Sequence, residues 1–171
     1  MNASEIAILV LEAQQGNKKS FERLCNALYQ PSCRFALKLS GCTAMADDVT
    51  QETWVCVAKD IKKLKEPGAF KAWLFKLVYR RFIDAIRQNQ YTQPAACEEA
   101  YVPQIDQHYD LLVLINKLPD IQRHVVYLFY FEQMALAEIG AVLEIPIGTV
   151  KSTLHRARAT LSELASEQTQ S

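Results

Sequence analysis

Apolar positions along this chain recur mostly at three- and four-residue spacing, the period of an amphipathic helix rather than of a strand. The pattern predicts a helix over residues 3–15 that stops at Gly16. Lys19 to Ser40 also reads as helical, with a kink or break at Pro31. Gly41 is placed to end that segment, and Thr43 to cap a helix running to about Lys65. Glu66-Pro67-Gly68 punctuates the chain, and a long helix is predicted from Ala69 to Asn89. Three or four helices follow, at about 108–117, 119–132, 135–144 and 147–166, with the closing SEQTQS frayed. Long strand-like alternations are absent. The expected class is all-α: two small helical domains, residues 1–90 and 108–171, joined by a flexible acidic linker over 91–107.

The last two predicted helices carry the clearest chemistry. LAEIGAVLE (Leu136–Glu144) puts Leu136, Ile139, Val142 and Leu143 at helical spacing, and only a tight turn separates it from IPIGTVKSTLHRARATL (Ile145–Leu161). Pro146 suits the opening of the second helix, because it lacks an N–H that the first turn does not use. Val150, Leu154, Ala157 and Leu161 share one face there, while Thr149, Lys151, Ser152, His155, Arg156 and Arg158 cover the rest. No acidic residue occurs from Ile145 to Ser162. This is the layout of a helix-turn-helix, whose second helix enters the DNA major groove. The plainer reading is a core-packed helical pair with a chance basic face. The spacing, the Pro146 start and the uninterrupted cationic helix favour DNA contact. Thr149, Lys151 and Ser152 lie near the end that faces base edges, and His155, Arg156 and Arg158 are better placed for phosphates.

A second basic region spans Lys59 to Arg87. Lys59, Lys62, Lys63 and Lys65 precede the turn, and Lys71, Lys76, Arg80, Arg81 and Arg87 follow it. Trp73, Phe75, Tyr79 and Phe82 interleave with these cations, and Trp73, Lys76, Arg80 and Arg87 fall along one helical stripe. Cations track phosphates and exposed aromatic rings stack on unpaired bases, so the mixture suits single-stranded nucleic acid. A solvated surface over aromatic core residues explains the same pattern, and periodicity leaves both open for the stripe. Phe70, Leu74, Leu77 and Val78 share another face and read as core. In the preceding helix Asp47, Asp48, Gln51 and Glu52 lie on one face, while Met45, Val49, Cys56 and Val57 lie largely on the other, which should pack inward. Pattern alone favours plain solvated surface for the acidic face. No nucleophile or metal partner accompanies it, so nothing points to catalysis.

Composition sharpens this picture in one respect. Half of the 171 residues are hydrophobic and the formal net charge is zero, yet the charge is unevenly spread. Residues 58–90 carry 9 basic and 3 acidic side chains, whereas residues 91–110 carry 4 acidic and no Lys or Arg. Such a chain touches nucleic acid locally but lacks the overall field to hold duplex DNA tightly by itself. Cys25, Cys33, Cys42, Cys56 and Cys97 form no CxxC pair, which fits reduced thiols used as core fillers in a cytosolic protein. His108, His124 and His155 are scattered, so neither a metal site nor any cofactor is expected. The apolar run IAILVL is cut off by Glu12 and does not read as a signal peptide, and no apolar segment approaches the roughly 20 residues that cross a bilayer. A cytoplasmic protein without direct membrane insertion is expected.

DDVTQETW (Asp47–Trp54), FKAWLFKLVYRRFIDAIR (Phe70–Arg87), KLPDIQRHVVYL (Lys117–Leu128) and IPIGTVKSTLHRAR (Ile145–Arg158) together resemble, in order and separation, the sigma factors of bacterial RNA polymerase. The resemblance is to the small extracytoplasmic-function (ECF) class of the sigma-70 family and covers nearly the whole chain. It implies a non-enzymatic initiation factor that binds core RNA polymerase, at the clamp coiled coil and the flap, and directs it to promoter DNA. It gives Asp47, Asp48, Gln51, Glu52 and Trp54 to polymerase binding, against the plain-surface reading of that face. It gives Lys62, Lys63, Lys65, Trp73, Lys76, Tyr79, Arg80, Arg81 and Arg87 to the opened minus-ten element, with Lys62 to Phe70 as the loop that captures a flipped base. Thr149, Val150, Lys151, Ser152, His155, Arg156 and Arg158 would read the minus-thirty-five element. Many relatives are held inactive by an anti-sigma protein, frequently membrane-bound, which makes such a protein a further candidate partner.

The chain departs from the family pattern at three places. Arg80 stands where Asn is usual, Glu144 replaces the usual turn Gly, and Thr153 replaces a common Arg. The acidic stretch with Glu98, Glu99 and Asp106 would thread polymerase near the template strand and mimic nucleic acid in a basic channel. The rival reading is a helix-turn-helix regulator that binds its operator without polymerase, usually as a dimer on paired half-sites.

Overall fold

A computed structural model describes residues 1–89 and 109–169, all of whose regular elements are helical. The linker expected over 91–107, with Glu98, Glu99 and Asp106, lies outside the described residues. The chain divides into two compact units.

The first unit holds α1 (Ala3–Gln14), α2 (Lys18–Ser40), α3 (Thr43–Asp60) and α4 (Phe70–Asn89), with single 3-10 turns at Ile61–Lys63 and Pro67–Ala69. Asn2 and Glu5 form a reciprocal cap on α1, each side chain meeting the other's backbone N–H at 2.9 Å. Gly16 (φ 94°) and Gly41 (φ 64°) end α1 and α2 in the left-handed region, where glycine carries no Cβ penalty. The cap of α3 is Cys42 rather than Thr43, and it makes no side-chain bond. That helix stops at Asp60, five residues short of the expected end, because the chain tightens there into the 3-10 turn.

Pro31 neither breaks nor ends α2. An interior proline costs a helix about 3 kcal/mol, and burial of Leu24, Leu28, Phe35, Ala36 and Leu39 offsets that. α2 packs on α3, where Ala46, Val49 and Val57 are buried, and on α4, where Phe70, Leu74, Phe75 and Val78 are buried. Phe35 and Phe75 lie 5.2 Å apart at the centre. Cys25, Cys33 and Cys56 carry free thiols at half-buried positions. Cys42 is buried in the core, as expected of a core-filling cysteine.

The second unit holds α5 (Tyr109–Asn116), α6 (Asp120–Val126), α7 (Leu136–Leu143) and α8 (Ile147–Thr169), all of the first three packing on α8 or on each other. The expected helix over 119–132 widens into a π-helical turn at Tyr127–Phe131. There Tyr127 and Phe131 stack at 5.3 Å, and Tyr127 donates to the buried Glu132 at 3.3 Å. α8 runs through Thr169, and the last two residues of the expected frayed end lie outside the described residues. Among the described residues, no helix is long and apolar enough to cross a membrane.

Candidate nucleic-acid and polymerase surfaces

The α7–α8 corner is built by three residues. Glu144 adopts φ 57° and ψ 41°, a left-handed cap normally left to glycine, and its N–H returns to the Gly140 carbonyl. The N–H of Ile145 donates to the same carbonyl at 3.0 Å. A Cβ on Gly140 would stand 2.8 Å from the Ile145 carbonyl oxygen, so the turn can close only over a glycine. Glu138 caps the other end of α7 by accepting from the Ala135 N–H at 2.8 Å. Pro146 serves one position earlier than expected: its carbonyl accepts the first helical bond of α8, from Val150 at 3.1 Å.

This corner sorts the side chains of α8. Val150, Leu154 and Ala157 are buried, and Thr149, Lys151, Ser152, His155, Arg156 and Arg158 are exposed. Val150 therefore leaves the expected DNA-facing set. Its side chain is fully inside, packed beside Gly140, and reaches no solvent. Thr153, where the family commonly has Arg, is also buried, at 1% exposure, and so belongs to the core. Arg158 is exposed but anchored: its Nε donates to the Tyr130 hydroxyl at 2.8 Å, and its guanidinium lies 5.9 and 5.8 Å from the Phe129 and Tyr130 rings. Nothing in the sequence pattern linked Arg158 to Tyr130, 28 positions away.

In the first unit Asp47, Asp48, Gln51 and Glu52 form an exposed face of α3. The Cys33 thiol donates to Asp47 at 3.6 Å, and burial pushes that thiol's pKa up. Trp54 does not share this surface, which corrects the expectation that it meets polymerase. It is 8% exposed, packs between Phe21 and Tyr29 with each ring centroid 6.3 Å away, and donates from Nε1 to Ser32 at 3.0 Å. An indole one turn from an acidic face is still large enough for the core to claim it.

Arg81 changes sides as well. Expected among the minus-ten cations, it instead donates from Nη2 to the Cys56 sulfur at 2.8 Å, a bond that raises the guanidinium pKa. With Gln51, Glu52 and the exposed Val55 it lines an open cleft between α3 and α4. Val55 and Cys56 were missed in this surface, although Val55 follows Gln51 and Glu52 at helical spacing.

Lys62, Lys63 and Lys65 project from the segment between α3 and α4, with Lys63 paired to Asp60 at 2.6 Å. On α4 the stripe is graded: Trp73, Lys76 and Tyr79 are half-buried, and Arg80 and Arg87 are exposed. Trp73 leans on Phe70 at 5.8 Å. Phe75 and Phe82, which interleave with the cations in sequence, are core residues. Two of the four interleaved aromatics thus reach the surface beside the cations.

Residues 24–92 match the family description "Sigma-70 region 2", and residues 108–161 match "Sigma-70, region 4". The chain belongs to the ECF sigma factors of the sigma-70 family. It is 30% identical over 160 residues to the ECF RNA polymerase sigma factor SigL of Mycobacterium tuberculosis, covering 82% of this chain and 90% of that one. It is also 30% identical over 170 residues to the ECF sigma factor SigE of Mycolicibacterium smegmatis, covering 92% of this chain and 66% of SigE. The sigma factor RpoE of Bartonella quintana, solved with the anti-sigma factor NepR, shares the fold at a TM-score of 0.73 and 24% identity, over 86% of this chain and 98% of RpoE. ECF sigma factors are non-enzymatic initiation factors that direct RNA polymerase to promoters.

Proposed function

We propose that residues 1–90 of this ECF sigma factor bind core RNA polymerase and the opened minus-ten element, and that residues 108–171 read the minus-thirty-five element, with 91–107 as tether. The exposed face of α3, with Asp47, Asp48, Gln51 and Glu52, takes the clamp coiled coil. Val55 and Arg81 extend that surface across the cleft to α4. Lys62, Lys63, Lys65, Trp73, Lys76, Tyr79, Arg80 and Arg87 take the melted strand, and the loop from Lys62 to Phe70 holds a flipped base. In α8, Thr149, Lys151 and Ser152 address base edges while His155 and Arg156 address phosphates. The second unit meets the polymerase flap. The protein works in the cytoplasm, and an anti-sigma protein is its candidate regulator.

The observation that carries this reading is the sorting of α8. Every cationic side chain of its first four turns is exposed, Val150, Leu154 and Ala157 are buried on the opposite side, and the turn before it closes over Gly140. Neither DNA contact need be tight alone, because one polymerase carries both and raises their effective concentration. Run-off transcription with purified core polymerase on a genomic fragment library tests the reading. Transcripts that appear only with the protein, sharing two spaced motifs upstream, are expected. Firm binding of the isolated chain to a target duplex, with no effect on polymerase, overturns it in favour of a polymerase-independent regulator.

A further inference from the structure

We propose that Gln14, the last residue of α1, positions the base-capturing segment between α3 and α4 without touching DNA itself; this rests on the minus-ten reading above. The Gln14 amide nitrogen lies 2.8 Å from the carbonyl oxygen of Ile61 and 2.8 Å from that of Leu64. Carbonyl oxygens only accept, so the nitrogen must face them and both its hydrogens are committed. Ile61 and Leu64 bracket a single 3-10 turn, in which the Leu64 N–H donates to the Ile61 carbonyl at 3.2 Å. One such turn has poor bond geometry and little stability of its own. Gln14 bridges both of its ends across 47 and 50 residues of sequence.

The same end of α1 is itself held. Glu12 accepts from the Ser20 hydroxyl at the start of α2, and Leu9, Val10 and Ala13 are buried. α1 also packs on the second 3-10 turn, Pro67–Ala69. The segment is thus pinned by buried Ile61 and Phe70 at its ends and by α1 from behind, while Lys62, Lys63, Lys65, Glu66, Gly68 and Ala69 face solvent. Extruding a base from the stack is costly and is repaid only by a pocket already in shape. A loop that samples other conformations binds more weakly by the fraction of time it is misshapen. Rigid support from α1 keeps that fraction small.

The test uses holoenzyme assembled from core polymerase and the full chain. The probe is a pool of bubble templates whose unpaired non-template strand is randomised over a short stretch, and the readout is base enrichment at each position. Wild-type holoenzyme should enrich one base at the captured position. Gln14→Met keeps the length and the apolar stem but removes both donors, and it should lose about ten-fold of that discrimination. Its affinity for core polymerase and its tryptophan-monitored melting temperature should hold. Gln14→Lys, which restores donors to the two carbonyls, should recover most of the enrichment. The proposal is overturned if Gln14→Met enriches like wild type, if Lys rescues nothing, or if enrichment falls only in step with polymerase affinity. A wild-type holoenzyme that enriches no base overturns the minus-ten reading itself, which separates the two failures.

Discussion

The carbonyl oxygen of Ile145 sits where it would meet a Cβ on Gly140 at 2.8 Å, so the corner of the helix-turn-helix depends on an absent methyl group. That oxygen belongs to the backbone, held by the turn that Glu144 closes in the left-handed region. A side chain at Gly140 cannot be accommodated by rotating a neighbour.

Gly140→Ala should therefore destabilise the second unit by about 1–3 kcal/mol, the usual cost of overpacking. Both tryptophans, Trp54 and Trp73, lie in the first unit, so their fluorescence should report an unchanged transition there. Amide NMR signals of α7 and α8 should broaden or shift. A fully native second unit would show that the Ile145 backbone moves freely.

Trp54 should matter for stability before it matters for polymerase. Truncating a buried aromatic to alanine costs about 3–5 kcal/mol, so Trp54→Ala should lower the melting temperature of the first unit steeply. Ser32→Ala leaves the buried indole N–H without its partner at 3.0 Å and should cost about 1–3 kcal/mol. Thermal unfolding followed by circular dichroism checks both. By contrast, Glu52→Lys should leave the stability of the first unit within about 0.5 kcal/mol of wild type while weakening core polymerase binding.

Arg156 and Arg158 should behave differently although both are exposed. Arg156→Ala, and likewise Lys151→Ala, should weaken promoter use by the holoenzyme without loss of polymerase binding. Each should reduce the slope of log affinity against log salt by about one if it meets a phosphate. Arg158→Ala also releases the Tyr130 hydroxyl and two ring contacts, so it should cost about 0.5–1 kcal/mol of stability in the second unit. Loss of polymerase binding in the Lys151 or Arg156 variant would contradict the division of labour.

His124 should make the second unit acid-sensitive. It is 6% exposed, its Nε2 has no hydrogen-bond partner, and burial, then Arg123, lowers its pKa from 6.5 to about 4. Above pH 6.5 the imidazole is neutral in both folded and unfolded chains, so it contributes no pH dependence. Between 6.5 and about 4 the unfolded chain binds a proton that the folded one refuses, and stability falls as pH falls. The full loss is about 3 kcal/mol. His124→Leu should remove this slope, and the difference between the two proteins' pH–stability curves isolates it from titrating carboxylates.

Periodicity placed seven of the eight helices within a few residues, because apolar spacing of three and four is a local property that packing then exploits. The widening of α6 at Tyr127–Phe131 has no such local mark. The helix-turn-helix was legible for the same reason, since its polar and apolar residues alternate within one short stretch. The acidic face of α3 was visible as well, down to Asp47, Asp48, Gln51 and Glu52.

Burial and long-range partners were not. Trp54 neighbours surface residues in sequence, and only the packing of α2 on α3 draws it inward. Arg81 sits among cations in the chain but bonds to a thiol 25 residues earlier, and Gln14 reaches carbonyls 47 and 50 residues later. A hydrophobic period says which side of a helix prefers to hide from water. Which neighbour covers that side, and which polar group its edge then meets, depends on how separate helices come together in space, and that was decided by the fold.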